Sequence, residues 1–398
     1  MPNIPAYERD PYLTEMDVYV RDVGVDQGRP FAVLDDSILY PEGGGQPADR
    51  GRLGDAAVVD VRRVGGRIRV FLAAPVETGP TKLELDWDRR YEHMQQHTAQ
   101  HLLTAIAQDQ FGWPTTAFHL GERDADVELD APLLPREALD DLEETCAAAI
   151  RAALPVAARR VSPAEFATME VRTRGLPEGF AGDVRLVEIE GIDRNTCGGT
   201  HLRSTAEIET IKLLGVEPMR GGTRLHFVAG RRARTRLAER EALAAALRQT
   251  LGAPDEELAD AAGAKLEQLK DALRRAKALE EELAGAAARE LSSGESPVAA
   301  RHWPDRDGAF LQRVAKEFAP LAPTKVALLT AGAGEAGVFS LAFGEQAPLD
   351  APSAARAVAE TLGGRGGGSG RMFQGKASAL SRRDAAAEIL LRSFKSRP

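Results

Sequence analysis

The chain is poor in cysteine, histidine and aromatic residues. Its 398 residues include two Cys and seven His, and Phe, Trp and Tyr together make up 5%. Two cysteines cannot form a disulfide framework, which excludes the class of small disulfide-stabilised secreted proteins. The sequence also lacks a run of about 18 apolar residues and a basic-then-apolar signal peptide, so no membrane association is expected. We therefore predict a cytoplasmic location.

A positive net charge, typical of proteins that bind nucleic acids, is also missing. The formal net charge is -9 at pH 7. Two segments differ from this average: residues 361–398 contain eight Lys or Arg against two Asp or Glu, and residues 231–236 contain four Arg. Each cluster is consistent with a solvated helix face or with a local RNA-contacting patch.

The few histidines and cysteines are concentrated in two pairs. His97 and His101 lie four residues apart in a segment with a helical pattern, which places both imidazoles on one helix face. Cys197 and His201 have the same spacing across two glycines, where the backbone can turn tightly. Four nitrogen and sulfur ligands are typical of tetrahedral zinc. We predict one zinc ion per chain, bound by His97, His101, Cys197 and His201.

His93 leaves the register of the helical pair open. It precedes His97 by four residues, so His93 and His97 form a competing pair that periodicity cannot exclude. The residue after His97 is Thr98 rather than the glutamate that acts as general base in helical-histidine metalloproteases. The protease class is therefore excluded.

Apolar patterning predicts an α+β chain with four units. Residues 1–90 alternate short apolar runs with Gly, Pro and Asp, which is typical of a small β-barrel. Residues 91–230 mix helices and strands and carry the zinc ligands, which predicts an α+β zinc-containing domain. Residues 231–294 are rich in Ala, Leu, Glu and Arg and are predicted to form an antiparallel helical hairpin. Residues 295–398 are predicted to form a C-terminal α/β domain.

The predicted hairpin depends on leucine spacing. Leu243 and Leu247 share one face of its first helix, and Leu266, Leu269 and Leu273 have the three-four spacing of a coiled-coil seam in its second. We expect this seam to be packed.

Two glycine-rich segments come close to nucleotide-binding motifs without matching them. Residues 332–337 fit a dinucleotide fingerprint but lead into a predicted strand instead of a helix, so a hairpin turn is predicted there. Residues 370–376 approach a P-loop, but Ala377 replaces the Ser or Thr that binds magnesium, and no predicted strand precedes them. Dependence on ATP is not expected.

A third glycine-rich segment, residues 40–51, contains Gly43, Gly44 and Gly45 between two prolines. Such a run is consistent with a tight barrel turn. It is equally consistent with exposed N–H groups that hold an oxyanion or a terminal nucleotide. The residues alone leave both interpretations open.

Five segments together resemble a known family. Residues 40–51, 97–103, 197–201, 221–230 and 364–371 occur in the order found in the long form of the AlaX alanyl-tRNA editing proteins and in the matching carboxy-terminal half of alanyl-tRNA synthetase. The resemblance implies an aminoacyl-tRNA hydrolase that removes serine, or glycine, from mischarged tRNA(Ala) for translational quality control. It makes residues 91–230 the editing domain and residues 40–51 a segment beside the zinc.

The resemblance also implies roles for individual residues. Ser37, Gln100 and His119 take catalytic positions, with His119 a candidate to position water or carry a proton. Where related proteins carry a threonine thought to sense the serine hydroxyl, this chain has Ser37, so altered discrimination between serine and glycine is expected. The implied substrate-binding residues are Gly43, Gly44, Gly45, Gln46 and Arg371. The zinc can polarise the ester carbonyl, orient water, anchor the amino group or be purely structural.

Partners and rivals follow from the same resemblance. Residues 295–398 resemble the C-terminal domain of the synthetase, which implies tRNA contact and a homodimer formed through this region. The match begins close to residue 1, so a free-standing, trans-acting deacylase is expected. Two rivals remain: an editing deacylase for another tRNA such as tRNA(Thr), and a zinc-stabilised tRNA-binding protein without catalysis.

Overall fold

A computed structural model of the chain describes residues 4–131, 134–173 and 182–395. The chain is a mixed α+β protein with two compact units, Met1–Ala246 and Leu247–Pro398. The predicted boundary at residue 90 falls inside a helix of the first unit, so the barrel and most of residues 91–230 belong to one compact unit.

The first unit begins with a closed six-stranded barrel in the order β1-β2-β5-β4-β3-β6. All its neighbouring strands are antiparallel. Alternating buried and exposed residues along β4 show why the sequence closes into a barrel, since one face of each strand fills its interior. The predicted N-terminal barrel is thereby confirmed. Its strands are β1 Glu15–Asp26, β2 Arg29–Leu34, β3 Gly51–Leu53, β4 Ala56–Val64, β5 Arg67–Leu72 and β6 Gly79–Leu85, preceded by the short helix α1 Ala6–Arg9.

Two small antiparallel sheets and a long central helix make up the rest of this unit. The four-stranded sheet has the order β12-β13-β8-β7, and the three-stranded sheet has the order β11-β10-β9. The strands are β7 Thr115–Leu120, β8 Ala125–Leu129, β9 Val156–Val161, β10 Val184–Ile189, β11 Asp193–Thr196, β12 Ile211–Met219 and β13 Gly222–Ala229. The helices are α2 Trp87–Phe111, α3 Arg136–Arg151, α4 Pro163–Phe166 and α5 Gly230–Leu251, with a 3-10 turn at Thr205–Ile208.

Helix α2 carries the predicted histidines and is the best-buried helix of the unit. It starts at Asp86, whose carboxylate accepts a hydrogen bond from the Arg89 N–H at 3.2 Å, and it ends at Gly112, whose φ of 65° closes the last turn. Every residue from His93 to Ala107 is buried. A helix buried on all faces places side chains on several neighbouring elements, and this allows α2 to organise the site.

The second unit contains a five-stranded sheet in the order β14-β15-β16-β18-β17, in which β14 and β15 are parallel and the other pairs antiparallel. Its strands are β14 Val298–Trp303, β15 Val326–Ala331, β16 Gly337–Phe343, β17 Arg365–Ser369 and β18 Met372–Ala377. Its helices are α6 Leu258–Ser293, α7 Gly308–Leu321, α8 Ala351–Thr361 and α9 Arg383–Lys395, with 3-10 turns at Asp255–Glu257 and Leu380–Arg382. Helices and strands are mixed in this unit, and the predicted α/β class of the C-terminal domain stays a prediction.

The expected leucine seam is not packed. Leu266, Leu269 and Leu273 of α6 are 60%, 55% and 62% exposed, and Leu243 of α5 is 50% exposed. Heptad-like spacing indicates that one helix face is apolar, but it does not indicate which residues cover that face. The seam prediction is wrong for these residues, while the antiparallel arrangement of the two helices stays a prediction.

A second correction concerns residues 370–376. The strand β17 does precede them, contrary to expectation: Gly370 and Arg371 form the turn of a hairpin, and residues 372–376 belong to its second strand, β18. The P-loop interpretation fails because a strand, not a helix, follows the turn. Residues 332–337 connect β15 and β16, which confirms the predicted hairpin. Among the described residues, none of the helices is long and apolar enough to cross a membrane.

Candidate metal centre and its cavity

The two predicted ligand pairs converge on one point. One ligand atom from each of His97, His101, Cys197 and His201 lies within 4.8 Å of the others. The Cys197 Sγ is 3.4 Å from His97 Nε2 and 3.3 Å from His201 Nε2. Ideal tetrahedral zinc would separate such nitrogen and sulfur atoms by roughly 3.6 Å. The donor set and its spacing therefore fit a zinc ion.

The amide of Gln46 orients the first ligand. Its Oε1 accepts a hydrogen bond from the Thr200 N–H at 3.1 Å, and its Nε2 donates to Thr200 Oγ1 at 2.9 Å. Because a backbone N–H can only donate, the amide orientation is settled, and His97 Nδ1, 2.9 Å from the same Oε1, must carry a hydrogen. The lone pair of His97 is left on Nε2, which faces the cluster.

The other two imidazoles are also held through Nδ1. His101 Nδ1 lies 3.0 Å from Asp193 Oδ2, and His201 Nδ1 lies 3.2 Å from Thr98 Oγ1. A hydrogen bond on the far ring nitrogen is the usual support of a metal-bound histidine. All three Nε2 atoms are thus directed to the centre.

The electrostatics of the cluster favour metal binding. Burial opposes ionisation of Cys197, yet the imidazoles of His97 and His201 lower the pKa of its thiol well below the usual value. Burial and the neighbouring His97 lower the pKa of His201. Burial acts to lower the pKa of His101, but hydrogen bonds to Asp193 and Cys197 outweigh it and raise this pKa to about 10. A metal ion bound at this ring therefore replaces a proton. Thiolate and neutral imidazole are the forms that ligate.

His93 lies outside this group. It is 2% exposed, and within the described part of the chain its Nδ1 has no hydrogen-bond partner. Burial and the nearby guanidinium of Arg89 lower its pKa to about 3, so the ring is neutral. The competing His93–His97 register is therefore not the one that the fold assembles.

Residues 40–51 form a loop that is anchored to α2 by a buried ion pair. The Asp49 carboxylate accepts from the Tyr40 N–H at 2.6 Å and from Arg90 Nε at 3.0 Å. The Arg90 and Asp49 side chains are 0% and 1% exposed, and Arg90 also donates to the Ile38 carbonyl at 2.6 Å. Neither partner of this pair was predicted as functional, although Asp49 lies within the family motif.

Glycine is required where this loop and the Cys197 turn approach other groups. A Cβ on Gly45, whose φ is 84°, would lie 2.7 Å from the Phe118 ring. A Cβ on Gly199 would lie 2.2 Å from His97 Cε1 and 2.8 Å from Gln46 Oε1. Gly43 pairs with Gln46 across the loop, and Gly44 has a φ of 55°. The glycine run is thus both a tight turn and part of the wall of the site.

A cavity of about 820 Å³ opens beside the cluster. His101 and Cys197 line it, together with Gly44 and one face of α2 formed by Gln100, Thr104 and Gln108. The remaining lining residues are Pro114, Thr115, Phe118, Val171, Arg172, Thr173, Asn195, Thr196, Gly198 and Gly199. A half-polar cavity of this size lies in the range of small-molecule sites.

Gln100, which lines this cavity, has an acceptor atom that is unpaired among the described residues. Its Nε2 donates to Thr104 Oγ1 at 3.1 Å, which turns its Oε1 away from Thr104. Oε1 is buried and has no hydrogen-bond partner among the residues described. A buried acceptor without a donor costs free energy, so this atom is suited to a donor supplied by a ligand.

The structure does not bring every predicted residue to the cavity. His119 is on β7 next to Phe118, but strand alternation turns it to the opposite face, where its ring is 56% exposed and pairs with Asp126 at 3.0 Å. Ser37 is buried, accepts from the Leu39 N–H at 3.0 Å and lines a different cavity. Neither residue lines the cavity at the cluster.

Arg371 and Gln46, two of the predicted substrate-binding residues, make contacts with the protein itself. Arg371 belongs to the second unit, where its Nη1 donates to the Gly344 carbonyl at 2.9 Å. Gln46 is 1% exposed and fully engaged with His97 and Thr200. Sequence reasoning missed that Thr98, Thr200 and Asp193 support the ligands. Thr98 and Thr200 lie inside the segments that carry the ligand pairs, and Asp193 lies four residues before Cys197.

Comparison with known proteins gives consistent matches. Residues 184–225 match the family described as "Threonyl and Alanyl tRNA synthetase second additional domain". The chain is 36% identical over 371 residues to the alanyl-tRNA editing protein Aarsd1 of Mus musculus, covering 92% of this chain and 88% of that protein. It is 33% identical over 245 residues to the alanyl-tRNA editing protein AlaX-L of Pyrococcus horikoshii, covering 59% and 60%.

A shorter relative and a solved structure complete the comparison. The alanyl-tRNA editing protein AlaX-M of Methanosarcina barkeri is 34% identical over 226 residues, covering 53% of this chain and 92% of that protein. The C-Ala domain of Aquifex aeolicus alanyl-tRNA synthetase covers 25% of this chain with 18% identity and a TM-score of 0.24, which is too low to establish a shared fold. The extent of the Aarsd1 match decides the assignment: the chain belongs to the family of alanyl-tRNA editing proteins.

Proposed function

We propose that this chain hydrolyses the ester of tRNA(Ala) mischarged with serine, and with glycine as a second substrate. Membership of the family makes the chain an aminoacyl-tRNA deacylase. The observation that carries the proposal is the meeting of the metal cluster and the free Gln100 acceptor in one cavity. The ester that joins an amino acid to the terminal adenosine of a tRNA is the substrate for which such a cavity is suited.

The four ligands His97, His101, Cys197 and His201 would hold one zinc ion. When bound, zinc can polarise an ester carbonyl or hold the α-amino group, and with four protein ligands it can also act by shaping the pocket. The residues of the chain hold the ligands in position. Gln46, Thr98 and Asp193 hold the imidazoles in place, and Gly199 allows the Cys197 turn to reach them.

Gln100 is the residue we assign to the aminoacyl group. Its Oε1 accepts a hydrogen bond from the α-ammonium or from the serine hydroxyl, because both are donors and the atom has none of its own in the described chain. Thr104 keeps the amide in this orientation. Discrimination by a hydrogen bond to a substrate group is stronger than discrimination by size.

Deacylation assays test this function. Purified protein is incubated with seryl-, glycyl- and alanyl-tRNA(Ala) and with seryl-tRNA(Thr), and release of amino acid is followed. We expect fast release of serine from tRNA(Ala), slower release of glycine and sparing of alanine. Preference for seryl-tRNA(Thr) would favour the tRNA(Thr) rival. No hydrolysis of any ester by zinc-loaded protein would favour the non-catalytic tRNA-binding rival.

Matched variants locate the site. Cys197→Ala removes a ligand, whereas Cys146→Ala changes the other free cysteine, which is buried on α3 away from the cluster. Loss of hydrolysis and of bound zinc is expected in the first variant alone. Gln100→Leu is paired with His119→Ala, and only the Gln100 change is expected to slow serine release. An equal effect of His119→Ala would restore its predicted catalytic role.

We also propose that the second unit contacts the tRNA and forms a homodimer. Arg365 and Lys376 lie directly opposite one another on β17 and β18. Like charges in this position repel, and a polyanion relieves the repulsion. The exposed leucines of α6 support self-association. Binding of tRNA by Arg365→Glu at two salt concentrations tests the first proposal, and sedimentation of Leu269→Asp tests the second.

A further inference from the structure

The three histidines of the cluster have chemically different supports. His97 is held by the amide of Gln46 and His201 by the hydroxyl of Thr98. His101 is held by a carboxylate, with its Nδ1 3.0 Å from Asp193 Oδ2. One ring of the three therefore has a charged partner.

A carboxylate determines the tautomer more strictly than a hydroxyl does. A threonine hydroxyl can donate or accept, so Thr98 alone permits either nitrogen of His201 to carry the hydrogen. An ionised carboxylate only accepts, so Nδ1 of His101 must donate and Nε2 is left for a metal. A carboxylate behind an imidazole also increases the basicity of the ring as a ligand.

Asp193 is fixed in this position by its own surroundings. It opens β11 and pairs with Ile189 of β10. Its carboxylate is 1% exposed, and its second oxygen, Oδ1, lies 3.1 Å from Nε of Arg172. Arg172 is held in turn by Asp109, 2.6 Å from its Nη2. A guanidinium beside a buried carboxylate offsets part of the cost of burying it.

The same arrangement joins the metal centre to the cavity wall. Arg172 and His101 both line the cavity, and Asp193 lies behind them. A substrate that displaces the Arg172 guanidinium would therefore disturb the support of His101.

We propose that Asp193 is a positioning residue that acts through His101. Its carboxylate holds the ring with Nε2 directed to the metal and thereby strengthens zinc binding. The inference rests on the metal site of the proposed function and deepens it, because it assigns a measurable part of the zinc affinity to a residue that binds neither metal nor substrate.

The chain contains a matched pair that serves as a control. His119 and Asp126 are also joined at 3.0 Å, but the His119 side chain is 56% exposed and does not line the cavity. Asp126→Asn removes a histidine-supporting carboxylate of the same type from a place where no cluster ligand depends on it. The two variants undergo the same chemical change, so a difference between their zinc affinities reports the location of the carboxylate.

The test is a competition titration of zinc against a chromophoric chelator at fixed pH. We expect Asp193→Ala to weaken zinc binding by about 10- to 100-fold, the range found when such partners are removed. Asp193→Asn keeps an acceptor oxygen and should weaken it less but measurably, and Asp126→Asn should leave it unchanged. Far-ultraviolet circular dichroism of the metal-free proteins shows whether each variant is folded, and the asparagine variant keeps the test usable if the alanine variant is not.

Cobalt substitution adds a readout that a merely structural role would not change. The visible bands of Co²⁺ report the geometry of its ligands, and we expect altered bands in both Asp193 variants but not in Asp126→Asn. Unchanged affinity and unchanged bands in folded Asp193→Ala would overturn the inference. If the wild-type protein itself binds no zinc, the metal site of the proposed function fails instead, so the two failures are distinguishable.

Discussion

Gln46 Oε1 lies 2.9 Å from His97 Nδ1, and this contact joins the glycine-rich loop of the barrel to the first metal ligand. The same oxygen accepts from the Thr200 N–H beside the second ligand pair. One amide thus connects three segments that are far apart in the chain. Substitutions around it make several expectations testable.

Gln46→Ala removes the group that orients His97. We expect zinc affinity to fall by about 10- to 100-fold because the His97 ring loses its support, and hydrolysis of seryl-tRNA(Ala) should fall with it. The measurement is a zinc competition titration together with the deacylation rate. The control is Gln110→Ala, which changes an exposed residue near the end of α2, the helix that carries His97, and should have no effect.

Gly199 and Gly198 provide a matched comparison of adjacent residues. A methyl group on Gly199 meets His97 and Gln46, whereas a Cβ on Gly198 has no atom within 4 Å, and neither glycine has a positive φ. Gly199→Ala should therefore lose bound zinc and deacylase activity, and Gly198→Ala should keep both. Metal content of the purified proteins decides the matter. Full zinc loading of Gly199→Ala would show that the turn can move away from His97.

The register of the helical histidines can be tested directly. His101→Asn should abolish stoichiometric zinc binding, because one of the four cluster ligands is lost. His93→Asn should keep one zinc per chain, because His93 is outside the cluster. Elemental analysis of both variants measures the ratio. Loss of zinc from His93→Asn alone would support the competing register.

His93 should also make stability dependent on pH. Burial and the charges of Arg89, Arg232 and Arg90 lower its folded pKa to about 3, while the unfolded value is 6.5. Between these values the unfolded chain binds the extra proton, so stability falls as pH falls through this window, by up to about 1.4 kcal/mol per pH unit. The unfolding free energies of wild type and His93→Asn, measured in urea from pH 7 to pH 5, should show a difference that changes with pH in this direction. A pH-independent difference would contradict the assignment.

Arg90 should contribute strongly to stability through Asp49. Arg90→Ala leaves a buried carboxylate without its partner, which typically costs about 3–5 kcal/mol. Urea unfolding should show the loss. Arg136→Ala breaks an ion pair whose side chains are 81% and 62% exposed, so its unfolding midpoint should scarcely move. Equal effects of the two changes would show that burial does not govern the Arg90 pair.

Local spacing was enough to predict the ligand pairs and much of the secondary structure. Four-residue spacing on a helix, and two glycines between Cys197 and His201, constrain neighbouring side chains without reference to the rest of the chain. The barrel strands likewise follow from the alternating apolar runs of residues 1–90, which are patterns within single segments. The family resemblance depended on such segments and was confirmed by the Aarsd1 match.

Single-residue differences of orientation were not predictable in this way. Four residues along a helix advance its direction by about 40° beyond a full turn, so His93 and His101 both remain plausible partners of His97 until packing chooses. Phe118 and His119 are adjacent, yet strand alternation sends only Phe118 to the cavity. Which face of the strand points to the cavity depends on its neighbours in the sheet.

What the sequence determined by itself was therefore the candidate ligand residues, with His93 and His101 still in competition, and the family to which the chain belongs, because both depend on short segments whose chemistry is local. Only the tertiary structure decided which groups support those ligands. Gln46, Asp193 and Arg90 act across separations of 51, 92 and 41 residues. Contacts between such distant positions arise from the packing of the barrel, the sheets and α2, and no local pattern encodes them.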